Sequence, residues 1–181
     1  MYYNSGTYCS NYSSILNDND NHNDEETIKK RKELTVRGLT GLKNQGNSCY
    51  LNSIIQCLSN LDLFRSWLIK DYFKNKLYHN SVTILSAKKR KKENISDDIT
   101  IRLSKTELDN VIENTIVYRL AEVFKEMWKQ NCTITPKSLK DIIGEYSIIF
   151  KGYSQNDSQE VLNLLLDKTH EETKSEVDIY F

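Results

Sequence analysis

The sequence is poor in the residues that kink, staple or cross-link a chain. Its 181 residues include one proline, six glycines and four cysteines. The cysteines, at positions 9, 49, 57 and 132, lack a closely spaced CxxC pair, so we predict neither a zinc site nor a disulfide framework, and no cofactor. Free thiols are typical of a reducing compartment, so a cytoplasmic or nuclear location is expected.

A surplus of charge and a long apolar run are also missing. Lysine plus arginine and aspartate plus glutamate number 25 each, so no overall field favours nucleic acid or an anionic membrane. The mean hydropathy is −0.61, and apolar stretches such as residues 161–166 are far too short to cross a bilayer. The start of the chain also lacks the pattern of a signal peptide. We therefore expect a water-soluble protein without nucleic-acid or membrane partners.

Apolar periodicity divides the chain into a polar extension and one domain. Residues 1–36 are dominated by Asn, Asp, Ser, Tyr and charge. Such a segment buries too little apolar surface to offset the entropy of ordering, so we predict a disordered extension. The domain should occupy residues 37–181, with its first folded element beginning near Val36.

Helical spacing of apolar residues predicts most of the secondary structure. Long helices are expected after Cys49, through residues 61–78 with a break, and through residues 117–128. Cys57 falls within the first of these helices and is interpreted as a small core residue. Because no convincing run of alternating strands occurs, the predicted fold class is mostly α.

A shorter helix is predicted further along the chain. Thr135 has the character of an N-cap, with Pro136 at the first helical position and Gly144 at the end. Residues 80–110 are instead polar and charge-rich, and we predict a flexible, solvated insertion loop there. The basic run at residues 88–92 leaves a nuclear-import signal or a polyanion contact as the alternative.

The most informative segment is residues 38–58, where a turn rich in Gly, Asn and Ser delivers Cys49 to the start of an amphipathic helix. The unpaired N–H groups and positive dipole end of a helix N-terminus stabilise a thiolate, the reactive form of cysteine. Asn44, in the same turn, offers an amide that can donate to an oxyanion forming beside Cys49. The pair indicates a cysteine enzyme, although a single cysteine at a helix start is more often an inert thiol.

The whole string resembles the cysteine box of the ubiquitin-specific proteases. The matching residues are Gly38, Leu39, Asn44, Gly46, Asn47, Cys49, Tyr50, Asn52, Ser53, Gln56, Cys57 and Leu58. Ser48 stands where threonine is usual and Leu51 where methionine is usual, and both differences are mild. The resemblance implies a thiol hydrolase that cleaves the bond after the last glycine of ubiquitin, with Cys49 as nucleophile and Asn44 in the oxyanion hole.

A second string, residues 151–172, resembles another motif of the same family. Ser154 and Asp157 have the spacing of a capping box before an apolar run, which is the purely structural interpretation. The residues that match the family are Gln155, Asp157, Ser158, Glu160, Leu165, Leu166, Asp167, His170 and Glu171. Asn156 and Val161 depart from the usual residues.

The second resemblance implies a substrate-binding role. Asp157 would grip the basic C-terminal tail of ubiquitin, assisted by Gln155 and Gln159, because a carboxylate pairs well with a guanidinium. His170 occupies a family position that is not the catalytic histidine. Asp167 and His170 could share a metal only with a third ligand that the sequence does not place, so no metal is expected.

The base that a cysteine protease needs is not evident in the sequence. His22, His79 and His170 all lack the Gly-His-Tyr context that supplies the base in this family. The resemblance covers residues 37–173 and implies the N-terminal helical half, the thumb, of an α+β papain-like catalytic domain, with the base downstream. We therefore expect negligible turnover from these 181 residues alone.

A non-catalytic ubiquitin-binding or scaffolding fragment is the main alternative function. Half a groove buries little area, so its affinity for ubiquitin would be weak. An unrelated papain-like protease is disfavoured by the second string, and a nucleic-acid role depends on residues 88–92 alone. Under both main hypotheses the partners are ubiquitin and ubiquitinated proteins.

Overall fold

A computed structural model of the chain describes residues 38–94, 96, 101–129 and 132–174. Helices dominate these residues, which confirms the mostly α fold class. In chain order the elements are β1 (Gly41–Leu42), α1 (Cys49–Ser59), α2 (Asp62–Ile69), α3 (Lys74–Glu93), α4 (Lys105–Glu113), α5 (Ile116–Lys129), β2 (Thr133–Ile134), α6 (Lys137–Tyr146), a 3-10 turn (Ile148–Phe150) and α7 (Ser158–Thr173).

Two predictions concern residues that the structure does not describe. The disordered extension at residues 1–36 and the start of the fold near Val36 both lie outside the described ranges. The division into an extension and one domain therefore stays a prediction. None of the helices in the described ranges combines the length and the hydrophobicity that a membrane span requires.

Helix α5 forms the centre of the core. Ile116, Leu120, Phe124 and Met127 on this helix are fully buried, as their spacing of three or four residues predicts. The helix packs against α2, α6 and α7, and α1 packs in turn against α7 and α2. The helices that follow the two family motifs, α1 and α7, therefore lie side by side.

A short parallel strand pair fixes the segment that precedes Cys49. Gly41 of β1 pairs with Thr133 of β2. The buried Thr40 donates from its hydroxyl to the carbonyl of Met127, 2.7 Å away at the end of α5. The side chain of Gln56 on α1 donates to the carbonyl of Thr40 over 2.8 Å. These bonds attach the approach to the cysteine turn to the central helix on one side and to α1 on the other.

The C-terminal turn of α7 caps the N-terminus of α5. The carboxylate of Glu172 accepts hydrogen bonds from the backbone N–H groups of Ile116 at 3.0 Å and Val117 at 2.8 Å. The hydroxyl of Tyr146 donates to the same carboxylate over 3.3 Å. Burial raises the pKa of Glu172, and burial together with the nearby Glu172 charge raises the pKa of Tyr146 to about 12. One side chain thus joins α5, α6 and α7.

The prediction of a loop at residues 80–110 is wrong where those residues belong to α3 and α4. Beyond Ser81 no side chain of α3 is fully buried, so its last turns resemble a loop in polarity. Lysine, arginine, alanine and leucine nevertheless favour the helix without burial. Helix α4 begins at a capping box, in which Ser104 accepts from the Glu107 amide and Glu107 accepts from the Ser104 amide.

The predicted break within residues 61–78 is confirmed, and Asp71 lies in it with φ of 59°. The predicted boundaries of α6 are wrong. Pro136 is the N-cap rather than the first helical residue, and the helix runs past Gly144 to Tyr146. Gly144 is buried within the helix, where an added Cβ would lie 3.3 Å from the Cα of Lys151. This glycine permits a close approach between helix and loop instead of ending the helix.

The prediction of Cys57 as a core residue is also wrong, since its side chain is exposed. The buried stripe of α1 contains Leu51, Ile55 and Leu58. Cys57 lies two positions after Ile55, roughly 200° around the helix, and therefore on the solvent side.

Candidate active site

Cys49 is exposed at the first position of α1, at the end of a turn with unusual backbone angles. Gly46 has φ of 83° and Asn47 has φ of 50°, both in the left-handed region. Glycine adopts this region freely, and asparagine does so more readily than most residues. The Gly-Asn pair therefore allows the chain to reverse just before the helix that presents the thiol.

The hydrogen bonds of Ser48 leave the start of α1 without a side-chain cap. Ser48 is the N-cap residue, yet its side chain makes no capping bond to the helix. Its hydroxyl accepts instead from the Gln45 amide at 2.8 Å and donates to Oδ1 of Asn44 at 3.2 Å. The first-turn amides of α1 consequently lack the serine oxygen that usually satisfies one of them. Such amides can donate to an anion that forms beside Cys49.

The side chain of Asn44 is oriented by the same bonds. Its Oδ1 accepts from the amide of Ser48 at 3.0 Å as well as from the Ser48 hydroxyl. Because the oxygen is used in this way, the donating Nδ2 is the end of the amide that remains for a ligand. The orientation suits the oxyanion role that the sequence predicts for Asn44.

Asp157 occupies the N-cap of α7, which corrects the predicted capping box at Ser154. Its Oδ1 accepts from the amide of Gln159 at 2.7 Å. Ser154 lies in the preceding loop, where its carbonyl accepts from the Asn156 side chain at 3.1 Å. Asp157, Gln155 and Gln159 are all exposed. The second oxygen of Asp157 makes no hydrogen bond to the described part of the chain, so it is accessible to a cationic ligand.

The cysteine turn and the loop before Asp157 are in direct contact. The side-chain amide of Asn47 donates to the carbonyl of Tyr153 over 2.9 Å, joining residues 106 positions apart. The ring of Tyr153 lies against Gly46, where an added Cβ would be 2.8 Å from Cδ1 of the ring. The structure therefore places the two predicted motifs next to each other.

Tyr50 provides a second connection between the same segments. Its ring stacks on Phe150 with centroids 5.8 Å apart and an interplanar angle of 23°. Burial raises the pKa of Tyr50, and the nearby side chain of Asn156 partly opposes this rise.

The described histidines are not part of this arrangement. His170 lies thirteen residues after Asp157, about 20 Å along helix α7. His79 on α3 lines a separate cleft with Asn80 and Glu171. His22 lies outside the described ranges, where no statement about its position is made. In the described part of the chain, no group of three His, Cys, Asp or Glu side chains is arranged to hold a metal ion.

Comparisons with known proteins match the region of the chain that contains both motifs. The family model described as ubiquitin carboxyl-terminal hydrolase matches residues 40–179. The chain is 28% identical over 164 residues to a probable ubiquitin carboxyl-terminal hydrolase of Acanthamoeba polyphaga mimivirus, covering 81% of this chain and 35% of that protein.

Two cellular relatives are similar over nearly the same region. Identity is 32% over 136 residues to ubiquitin carboxyl-terminal hydrolase 15 of Homo sapiens, covering 75% of this chain and 11% of the relative. It is 30% over 160 residues to the probable ubiquitin carboxyl-terminal hydrolase 1 of Schizosaccharomyces pombe, covering 86% of this chain and 16% of the relative. The chain therefore spans about a third or less of the length of these relatives.

Proposed function

Because this chain belongs to the ubiquitin carboxyl-terminal hydrolase family, we propose that it is part of a thiol-dependent deubiquitinase. The proposed reaction is hydrolysis of the bond after the C-terminal glycine of ubiquitin. The hydrogen bond between Asn47 and Tyr153 is the observation that carries this proposal. It joins the turn before an exposed cysteine to the loop before an exposed carboxylate, as a nucleophile and a substrate-tail site require.

The chemistry assigned to this chain is the attack step. The thiolate of Cys49 attacks the carbonyl carbon of the terminal glycine, and the carbonyl oxygen becomes an oxyanion. Nδ2 of Asn44 and a first-turn amide of α1 donate hydrogen bonds to that oxyanion. Each donor of this kind stabilises the oxyanion by about 3–4 kcal/mol. Collapse of the intermediate expels the amine and leaves a thioester, which water then hydrolyses.

Proton transfer requires a group from outside the described residues. A general base activates the thiol and then protonates the leaving amine. The positions of His79 and His170 make neither suitable, and we propose that the base lies in sequence beyond residue 181. A cytoplasmic or nuclear location is proposed from the spacing of the four cysteines in the sequence, which predicts no disulfide framework.

The test of this function is labelling with ubiquitin that carries a thiol-reactive group at its C-terminus. We expect the intact protein to form one adduct, located at Cys49 by peptide mapping. Cys57 is the internal control, because it is exposed on the same helix but lies two turns away. Labelling of both cysteines at equal rates would contradict the proposal. Binding of ubiquitin without labelling of Cys49 would favour the non-catalytic ubiquitin-binding alternative.

The role proposed for Asp157 can be tested without disturbing the helix. Asparagine is as good an N-cap as aspartate, so Asp157→Asn preserves the bond to Gln159 while removing the charge. We expect ubiquitin to bind about tenfold more weakly, because a charge-assisted hydrogen bond is lost. The measurement is the dissociation constant for ubiquitin, with Asp167→Asn on the exposed side of α7 as the control. Equal affinity of the Asp157→Asn variant and the parent would exclude this role.

A further inference from the structure

A buried lysine lies behind the loop that precedes Asp157. Lys140 on α6 is only 9% exposed. Its ammonium donates to the carbonyl of Gly152 over 2.6 Å and lies 5.2 Å from the centroid of the Tyr153 ring. Burying an ammonium group is costly unless it is hydrogen-bonded, and the Gly152 carbonyl provides that bond here.

The loop around Gly152 has a backbone conformation that depends on a few local contacts. Gly152 has φ of 95°, in the left-handed region that glycine alone adopts without strain. Within the described residues, no atom lies within 4 Å of an added Cβ at Gly152, so side-chain packing among them does not hold this residue. The close approach of Gly144 to Lys151 brings α6 against the same loop. The charge-assisted bond from Lys140 is therefore a main restraint on the direction of the Gly152 carbonyl.

The next residue transmits this restraint to the cysteine turn. Tyr153 follows Gly152 directly, its ring lies against Gly46, and its carbonyl accepts from Asn47. Tyr153 is 72% exposed, so its position is set by these few contacts rather than by burial. Lys140, Tyr153 and the turn before Cys49 thus form a continuous series of contacts.

We propose that Lys140 is a positioning residue for both halves of the site. It fixes the loop that carries Gln155 and Asp157 and, through Tyr153, the turn that presents Cys49. This inference rests on the proposed function for its catalytic meaning, since Lys140 is proposed to act through Gly152 and Tyr153 rather than on the substrate. Its structural content is independent of that function and can be measured separately.

The first test is hydrogen exchange of the intact protein, which needs no turnover. In Lys140→Met, which keeps the side-chain length, the amides of residues 44–48 and 150–157 should exchange about tenfold faster, as expected for loss of a bond to a charged group. Lys140→Arg should restore much of the protection. Lys125→Met removes a partly buried lysine bonded to Asp71 and should leave both segments as in the parent. Unchanged exchange at residues 44–48 would overturn the proposal.

A second variant tests whether Tyr153 transmits the effect of Lys140 to the turn before Cys49. Tyr153→Ala removes an exposed ring and is not expected to unfold the protein. It should accelerate exchange at residues 44–48 as strongly as Lys140→Met does. Adding Lys140→Met to Tyr153→Ala should then cause little further change in that segment, because both substitutions break one pathway. Additive effects would show that the two substitutions act on residues 44–48 separately, and would overturn the proposed transmission through Tyr153.

The catalytic meaning is tested with the intact protein and a ubiquitin conjugate. Lys140→Met should raise KM about three- to tenfold and lower kcat further through misplacement of Cys49, whereas Lys125→Met should change neither. Altered exchange with unchanged kinetic constants would overturn the positioning role while leaving the deubiquitinase proposal intact. A parent protein that fails to hydrolyse the conjugate would refute the proposed function, and the exchange results would still decide the role of Lys140 in the fold.

Discussion

Replacing Cys49 by alanine should abolish ubiquitin hydrolysis by the intact protein while preserving its affinity for ubiquitin. Loss of a covalent nucleophile removes about 10⁴-fold or more of the rate, because no neighbouring group replaces it. The side chain is exposed, so the substitution leaves no cavity and should not lower the stability of the fold. The measurements are turnover of a ubiquitin conjugate and a ubiquitin dissociation constant on the same preparation.

Cys57→Ala is the matched control for that experiment. Both cysteines are exposed on α1, and they differ in their distance from the turn that contains Asn44 and Gly46. Cys57→Ala should retain the turnover of the parent. Appreciable turnover by Cys49→Ala, or an equal loss in the two variants, would remove Cys49 from the mechanism.

The second large effect is expected for Glu172→Ala, which should lower the free energy of unfolding by about 2–4 kcal/mol. The substitution leaves the amides of Ile116 and Val117 without their acceptor at the buried start of α5. It also removes the partner of the Tyr146 hydroxyl. Urea unfolding followed by circular dichroism measures the loss.

Glu171→Ala is the control, because Glu171 is exposed and its one ion pair among the described residues is with Lys168, one turn away. Exposed pairs of this kind contribute little, so the unfolding midpoint should stay near that of the parent. A similar loss in the two variants would show that the effect of Glu172→Ala is generic to the end of α7. It would then not report the capping of α5.

The pH dependence of the Glu172 contribution has a defined sign. Burial raises the pKa of Glu172 in the folded state above its ordinary value of 4.5. The stability gained from this group, relative to alanine, is therefore largest below pH 4.5 and decreases as the pH rises through the folded pKa. A contribution that instead increased steadily from pH 4 to pH 7 would contradict the raised pKa.

The sequence predicted helices well where burial determined them. The stripe from Val117 to Phe124 in α5 follows the helical period because one face meets the core. The part of helix α3 after Ser81 was predicted to be a loop. Its side chains face solvent on nearly every side, so they show no apolar periodicity. The prediction for Cys57 failed for a related reason, because proximity along the helix to buried residues does not determine the face.

The candidate site was predictable one segment at a time. Local chemistry identified Cys49 at a helix start and Asn44 in the turn before it, and the family resemblance pointed to Asp157. The contacts of Tyr153 with Gly46 and Asn47 were not predictable, because no local pattern relates positions so far apart in the chain. Lys140 was missed as well, since a lysine on a short helix usually faces solvent.

The bond between Asn47 and Tyr153 also determines when the site can exist during synthesis of the protein. It spans 106 positions, so closing it is entropically costly until the intervening helices have folded and shortened the path. A ribosome must therefore make the chain nearly to α7 before the cysteine turn acquires its final support. Until then the turn before Cys49 lacks its contact with the loop before Asp157, and the two proposed parts of the site are not yet aligned.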